Sequence, residues 1–356
     1  MKVVLVSGGS GGHLIPALAL AEHLQKNGTA CLMLTTARPM DKKISQMTGL
    51  PWETVALERM TPVFRWLSPS YARRQWAALR RVNAVLASEK PDCLVGFGGY
   101  LSAWAAFCAR RKGIPVILHE QNLVPGLGNR LAARFAFAVA ASFPETERYF
   151  KKPVRVTVTG NPVRHDPEVT SFEQARAWFG FDTRTPVLLI MGGSQGARRI
   201  NEAMISFWEE ATPGFRTGWQ VIHLTGQSDF NRVQTAYTRL GIRAKVYPFL
   251  EEMPFALKAA TTAVSRAGAT GLAEMAAFGI PAVLIPYPHA GGHQRANAAR
   301  MESSGGAVMI DEENLSSVAL RTAIELMATN KTVQPVFLSG AQRRLEQLIN
   351  EAVRCG

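Results

Sequence analysis

Four cysteines in 356 residues, none of them in a C-x-x-C pair, leave the chain without the material for a disulfide framework or a zinc site. Cys31, Cys93, Cys108 and Cys355 read instead as reduced thiols of a cytosolic protein. Long apolar runs are missing too. The longest candidates, GFGGYLSAWAAFCA and FAFAVAASF, fall short of the roughly 18 residues that a membrane-spanning helix needs. The start, MKVVLVSGG, has a single lysine and runs at once into a glycine loop, so no secretory signal is expected. Acidic residues are in deficit, 27 Asp and Glu against 40 Lys and Arg, for a net charge of +13. Such an excess favours an anionic partner: nucleic acid, an acidic membrane or a phosphorylated substrate. No zinc-finger, RRM or KH signature is present, so nucleic acid is not expected among the partners.

What is present is an ordinary globular composition, 47% hydrophobic, at a length that suits about two domains of roughly 150 residues each. Apolar runs alternate with helical patterns throughout. KVVLVS, ACLMLTT, CLVGFG, PVILHE and VRVTVTG read as strands in the first half, and PVLLIMGG, QVIHLTG, AKVYPFL, TAVSRAG and PAVLIPY in the second. Helices such as IPALALAEHLQKNG and GLAEMAAFG lie between them, and this alternation predicts βαβ units and parallel sheets. A weak internal repeat reinforces it. KVVLVSGGSGGH opens the first half and PVLLIMGGSQGARRIN the second, each a strand, a G-G-S-x-G turn and a helix. The expected join lies near TGNPVR, residues 159–164, where Asn161 and Pro162 punctuate the chain. We therefore expect an α/β protein with a first domain over 1–162, a second over 163–339, and a C-terminal helix at about 340–356 that packs back on the first. Ligands of open α/β sheets bind beyond the carboxyl ends of the strands, so two such sheets facing each other would form a deep cleft.

The turn VSGGSGGH, residues 6–13, holds more glycine than a strand-to-helix corner requires. A loop stripped of side chains lets backbone N–H groups and a helix start meet an anion. It is not the dinucleotide fingerprint, because Leu14 stands where the third glycine belongs, and no lysine follows to make a phosphate loop of the GxxxxGK type. The segment from Arg59 to Arg81 is of another kind. Phe64, Trp66, Leu67, Tyr71 and Trp76 interleave there with Arg65, Arg73, Arg74, Arg80 and Arg81. It reads equally as an amphipathic helix with a solvated basic face and as a patch for an anionic membrane surface.

Seven stretches in order, GGSGGHLIPALALAEHL, GFGGYLSAW, ILHEQNLVPGLGNRLAARFA, TGNPVR, GGSQGARRIN, SRAGATGLAEMAAFGIPAVLIPYP and HQRANA, resemble glycosyltransferase family 28, the enzymes that add N-acetylglucosamine to lipid I to make lipid II in bacterial cell-wall synthesis. The resemblance runs from residue 3 to about residue 300. It implies the GT-B fold, two Rossmann-like domains across a cleft, with the donor nucleotide on the second domain and the acceptor diphosphate at the glycine loops of the first. The reaction implied is inverting, with UDP as leaving group, at the cytoplasmic face of the membrane. The implied substrates are UDP-N-acetylglucosamine and lipid I, and the implied partners an anionic membrane surface and other cell-wall synthesis proteins. No cofactor is expected. The chain has no D-x-D pair, which weakens the case for a metal-dependent transferase.

On this resemblance Gly9, Ser10, Gly11 and Gly12 cradle the acceptor pyrophosphate, Tyr100 lines the acceptor pocket, and Asn122 and Asn129 of the HEQN region serve the acceptor, Asn122 also the donor. His13 is either the general base that deprotonates the 4-hydroxyl of N-acetylmuramic acid or a histidine that donates to a carbonyl at a helix start. His119 and Glu120, at a strand end, are its rivals for catalysis. The same HEQN stretch also reads as a helix N-terminus rich in capping groups. For the donor, the resemblance implies Ser194, Gln195, Gly196 and Asn201 of GGSQGARRIN together with Arg164 around the charge on UDP. It places Arg266, Gly268 and Thr270 at the next glycine turn, Glu274 on the ribose hydroxyls, Phe249 and Leu250 at the uracil, and Gln294 and Asn297 on the sugar. Three departures stand out: Gly271 where the family usually has Thr, Trp104 where it carries Pro, and a 58–70 segment without the expected glycine and lysine. Another lipid-acceptor UDP-sugar transferase and a UDP-N-acetylglucosamine 2-epimerase are the alternative readings.

Overall fold

The computed structural model describes residues 1–8, 11–37, 49–57, 68–151, 153–193, 196–330 and 336–355. They form two compact units, Met1–Arg164 with Leu338–Gly356, and His165–Phe337.

The first unit is built on a seven-stranded parallel sheet. Its strands are β1 (Lys2–Ser7), β2 (Ala30–Thr36), β3 (Trp52–Val55), β4 (Cys93–Gly96), β5 (Val116–Glu120), β6 (Ala138–Ala141) and β7 (Val156–Val158), in the order β3-β2-β1-β4-β5-β6-β7. Helices α1 (Gly11–Lys26), α2 (Pro69–Glu89), α3 (Gly99–Arg111) and α4 (Leu127–Ala132) connect them. β1 shows why the sequence reads as an unbroken apolar run. Val3 and Leu5 are buried in one core and Val4 and Val6 in the other, so a strand covered on both faces has no polar side to alternate with. The strand order reverses between β1 and β4, and in such sheets this is where the carboxyl ends open a crevice.

The second unit carries a six-stranded parallel sheet of β8 (Val187–Met191), β9 (Gln220–Leu224), β10 (Ala244–Tyr247), β11 (Thr262–Ser265), β12 (Ala282–Leu284) and β13 (Ala307–Met309), ordered β10-β9-β8-β11-β12-β13. Its helices are α5 (Phe172–Trp178), α6 (Arg198–Glu210), α7 (Pro213–Thr217), α8 (Phe230–Arg239), α9 (Met253–Ala259), α10 (Ala269–Ala277), α11 (His293–Ser303) and α12 (Ser317–Thr329). The reversal here falls between β8 and β11, and β8 and β1 are the two strands that precede the repeated glycine turns.

The last helix, α13 (Ala341–Cys355), belongs to the first unit although the second intervenes in sequence. Leu345, Leu348, Ile349 and Ala352 enter the same core as Leu14, Leu18 and Leu24 of α1. Glu346 pairs with His23 at 2.8 Å and accepts from the Asn27 amide, and the Gln342 amide donates to the carbonyl of Val163.

Three strands escaped the sequence reading. β3 and β13 have only four and three residues, and β6, AVAA, is nearly all alanine, a poor strand former that is tolerated here because all four residues are buried between β5 and β7. In the basic aromatic segment, 58–67, with Phe64, Arg65, Trp66 and Leu67, lies outside the described residues. From Pro69 the chain is helical. Tyr71, Gln75, Ala78, Val82, Val85 and Leu86 turn inward, while Arg73, Arg74, Arg80 and Arg81 are exposed. Among the described residues no helix is long and apolar enough to cross a membrane.

Candidate active site

In the first unit, the turns after β1, β4 and β5 meet backbone to backbone. Gly99, which opens α3, has φ +79°, and a Cβ there would lie 2.8 Å from the carbonyl oxygen of Gly8. A Cβ on Gly128 of α4 would in turn lie 2.8 Å from the carbonyl of Gly99. Any side chain at these positions would drive the three strand ends apart. The Ser102 hydroxyl reaches the carbonyls of Gly98 at 2.7 Å and Val6 at 3.1 Å, which ties the β4 turn to β1. Gly9 and Ser10 lie outside the described residues; Gly11 and Gly12 begin α1.

His13, in the first turn of α1, is half-buried, and its Nδ1 lies 2.9 Å from the carbonyl of Gly8. A carbonyl only accepts, so Nδ1 carries the hydrogen and the neutral ring keeps its lone pair on Nε2. Nε2 is directed at the β4 turn: a Cβ on Gly98 would lie 3.0 Å from it. His119 and Glu120, the rivals for catalysis, sit differently. His119 is fully buried, with Nε2 at 3.0 Å from the carbonyl of Gly160 and Nδ1 at 3.0 Å from the Gln121 amide. Burial drives its pKa down to about 4, against the opposing Gly160 hydrogen bond. Both ring nitrogens are therefore engaged in a neutral ring. Glu120 is also buried, and its carboxylate accepts from the Asn122 backbone and side chain at 3.0 and 3.1 Å, from the Gly126 N–H at 3.1 Å and from the Asn129 amide at 2.9 Å. It organises the loop from 121 to 129. Asn122 is half-buried there and Asn129 buried, while Tyr100 is half-buried in the first turn of α3. Arg164 is paired with Glu22 of α1 at 2.9 Å.

In the second unit, Ser194 and Gln195 lie outside the described residues, but the glycines around them are placed. Gly196 has φ +75°, and a Cβ on it would fall 2.2 Å from the carbonyl of Thr225 at the end of β9. That same carbonyl accepts from the Asn201 amide at 2.9 Å, so the turn before α6 rests on an atom that α6 itself holds. Asn201 is fully buried, donates also to Asp229 and accepts from His223 Nε2 at 3.0 Å, with the Tyr237 hydroxyl on His223 Nδ1 at 2.8 Å. Its side chain is spent inside the unit. Gly268 caps α10, in which Thr270 is buried and Glu274 half-buried. Beyond β10, Phe249 is half exposed and Leu250 buried. Arg266 is ion-paired with Glu312, Gln294 accepts from the Tyr287 N–H at 2.9 Å, and the Asn297 amide donates to the carbonyl of Ala267 at 3.2 Å. Each sheet thus collects its glycine turns and polar side chains at its own point of strand reversal.

Residues 3–141 match the glycosyltransferase family 28 N-terminal domain, and residues 187–343 the glycosyltransferase family 28 C-terminal domain. The chain belongs to glycosyltransferase family 28. It is 37% identical over 337 residues, 91% of this chain and 90% of the relative, to a protein of Halothermothrix orenii named UDP-N-acetylglucosamine--N-acetylmuramyl-(pentapeptide) pyrophosphoryl-undecaprenol N-acetylglucosamine transferase. A protein of the same name from Syntrophotalea carbinolica is 37% identical over 354 residues, 97% of this chain and 94% of the relative. Among solved structures, the crystal structure of Acinetobacter baumannii MurG is similar with a TM-score of 0.74 and 28% identity, covering 98% of this chain and 99% of that one. The two parallel sheets are those of the GT-B fold of this family.

Within the family 28 frame, sequence reasoning passed over Gly98, Gly99 and Gln121 as individual residues. The doubled glycine after a buried strand was the available signal for the first two. Nothing in the pattern singled out Gln121, whose amide donates to the carbonyl of Phe97 and faces His119.

Two buried imidazoles set a pH dependence. His119 titrates near 4 and His223 near 3, both held down by burial, whereas an unfolded histidine titrates near 6.5. The unfolded chain takes up protons first on acidification. Stability is therefore full above about pH 6.5 and falls below it by up to about 1.4 kcal/mol per pH unit for each ring. Urea unfolding followed from pH 7 to pH 5 should show this slope, and His119→Gln should make it shallower. An equal slope in the variant would mean that His119 is not neutral in the folded protein.

Proposed function

We propose that the chain transfers N-acetylglucosamine from UDP-N-acetylglucosamine to the 4-hydroxyl of N-acetylmuramic acid in lipid I, with inversion, giving lipid II. The near full-length likeness to transferases named for this reaction supports the substrates. The observation that carries the chemistry is the tautomer of His13. Gly8 holds the hydrogen on Nδ1, and the lone pair on Nε2 points to the glycine turn of β4. An imidazole held in this tautomer is suited to take the hydroxyl proton as that oxygen attacks the anomeric carbon. His119 and Glu120 then serve by holding the loop of Asn122 and Asn129, which shapes the acceptor side together with Tyr100 and Gly9, Ser10, Gly11 and Gly12.

In this reading residues 1–162 with the C-terminal helix take the acceptor, and residues 163–339 take the donor. The departing diphosphate carries growing negative charge. The turn of Ser194, Gln195 and Gly196 and the amino end of α10, with Gly268 and Thr270, offer backbone N–H groups and a positive helix end to it. Arg164 would exchange Glu22 for this charge. Glu274 suits the paired ribose hydroxyls, Phe249 and Leu250 the uracil, and Gln294 and Asn297 the sugar. Asn201 and Arg266 contribute by holding the donor loops.

The acceptor is a membrane lipid, so the first unit must reach the surface of the inner leaflet from the cytoplasmic side. The support lies on α2. Arg73, Arg74, Arg80 and Arg81 are exposed around Trp76, which is 60% exposed, and a cavity of about 400 Å³ opens between Ala72, Arg73, Gln75, Trp76, Leu79 and Trp104. An exposed indole beside arginines suits the headgroup layer of an anionic bilayer.

The reading is tested by transfer of radiolabelled N-acetylglucosamine to a soluble lipid I analogue. His13→Ala should lower kcat by roughly 10²–10⁴ while the dissociation constant of UDP stays near that of the parent. A variant with full kcat removes His13 as base. Replacing Arg73, Arg74, Arg80 and Arg81 by Glu should release the protein from anionic vesicles, because each arginine contributes about 1 kcal/mol at such a surface, and should spare turnover of the soluble analogue. Equal co-sedimentation of variant and parent would place the membrane contact elsewhere.

A further inference from the structure

The loop between β12 and α11, residues 285–292, leads into the first turn of α11. It carries two adjacent glycines in left-handed conformations, Gly291 at φ +59° and Gly292 at φ +80°. A chain of that kind has many alternatives open to it, and something outside the loop must select one. Gln294, the first-turn residue of α11 assigned above to the donor sugar, closes the loop by accepting from the Tyr287 N–H.

The selecting contact comes from Arg266 at the end of β11. Its guanidinium donates to the carbonyls of Ile285 at 3.2 Å and Pro286 at 3.4 Å, and lies over the Tyr287 ring at 5.3 Å from its centroid. Three consecutive loop residues thus rest on one planar cation. That cation is buried, with its side chain 10% exposed, and its counter-charge is Glu312 from the segment after β13, 2.5 Å away and 18% exposed. Arg199 of α6 stands 3.9 Å from the other oxygen of the same carboxylate. Glu312 therefore joins the end of β11 and, through Arg266, the loop before Gln294. The neighbouring pair of Asp311 with Arg295 does not compare. Arg295 is 60% exposed, and solvent-exposed pairs of this kind contribute little.

We infer that Glu312 is a positioning residue for the donor sugar, acting through Arg266 to hold Tyr287 and Gln294 in place. The inference rests on the donor reading above. It also separates Arg266 from the diphosphate, since a guanidinium committed to two carbonyls, a ring and a carboxylate works on the loop. Removing the charge of Glu312 leaves Arg266 buried without its counter-ion, which frees the loop while the turn around Gly196 and the amino end of α10 keep their own supports.

The test compares UDP with UDP-N-acetylglucosamine on the full chain by calorimetry, taking the ratio of the two dissociation constants as the sugar's contribution. Glu312→Gln should weaken UDP-N-acetylglucosamine by roughly 5–20-fold and change UDP by less than about twofold, because only the sugar-facing loop loses its support. Glu312→Asp, which keeps the charge, should recover part of the ratio, and Asp311→Asn should leave it unchanged. If Glu312→Gln is unfolded by circular dichroism, Arg266→Lys is read in its place: it keeps the charge opposite Glu312, loses the planar fork, and should show the same sugar-specific loss. A parental ratio in either folded variant, or equal weakening of both ligands, overturns the inference and leaves the donor reading standing. A parent that binds neither ligand overturns both.

Discussion

A hydrogen bond of 2.9 Å between His13 Nδ1 and the carbonyl of Gly8 decides the tautomer on which the proposed chemistry depends. β1 ends at Ser7 and α1 begins at Gly11, so that the ring folds back on the end of its own strand. The ring's other edge then faces Gly98, and the β4 turn is held at that distance by Gly99 against Gly8 and by Ser102 against Val6. A side chain at Gly98 or Gly99 would open the arrangement. The glycines of this corner thus fix the position of an imidazole.

The same residue type meets different surroundings at different strand ends. His13, His119 and His223 all lie at or near strand ends, yet His13 is half-buried while the other two are fully buried. His119 and His223 are sealed in, their pKa values depressed by burial, and each links a strand to a neighbouring loop or helix. Glu120 and Asn201 follow the same rule. Their polar atoms are saturated by partners from their own unit, as buried polar groups must be. Such residues look catalytic in a sequence because catalysis and loop support call on the same side chains. What separates them is whether water and substrate can reach the atom.

Much of the fold was legible. Two-sided burial makes a parallel strand a solid apolar run, and the repeated G-G-S-x-G pattern after β1 and β8 matches the two parallel sheets. The alanine strand β6 and the short strands β3 and β13 were not legible, because their strand state is imposed by neighbours and not by their own side chains. In the site, the motifs named residues whose packing partners only folding creates. Asn201, Arg266 and Glu120 were read as contacts of substrate or as catalysts, and the geometry engages them with carbonyls, amides and counter-charges of their own unit. Glu312 had no signal at all. It sits among acidic residues after a three-residue strand, and its importance arises from a distance to Arg266 that only folding creates.

The central claim is that the glycine corner holds His13 for proton transfer, and Gly98→Ala addresses it most directly. The added methyl would meet Nε2 at about 3.0 Å on a backbone at φ +104°, without altering any residue that titrates. The account predicts that the folded variant loses at least about tenfold in kcat with a soluble lipid I analogue, while its affinity for UDP is that of the parent. A folded Gly98→Ala protein with parental turnover would contradict it.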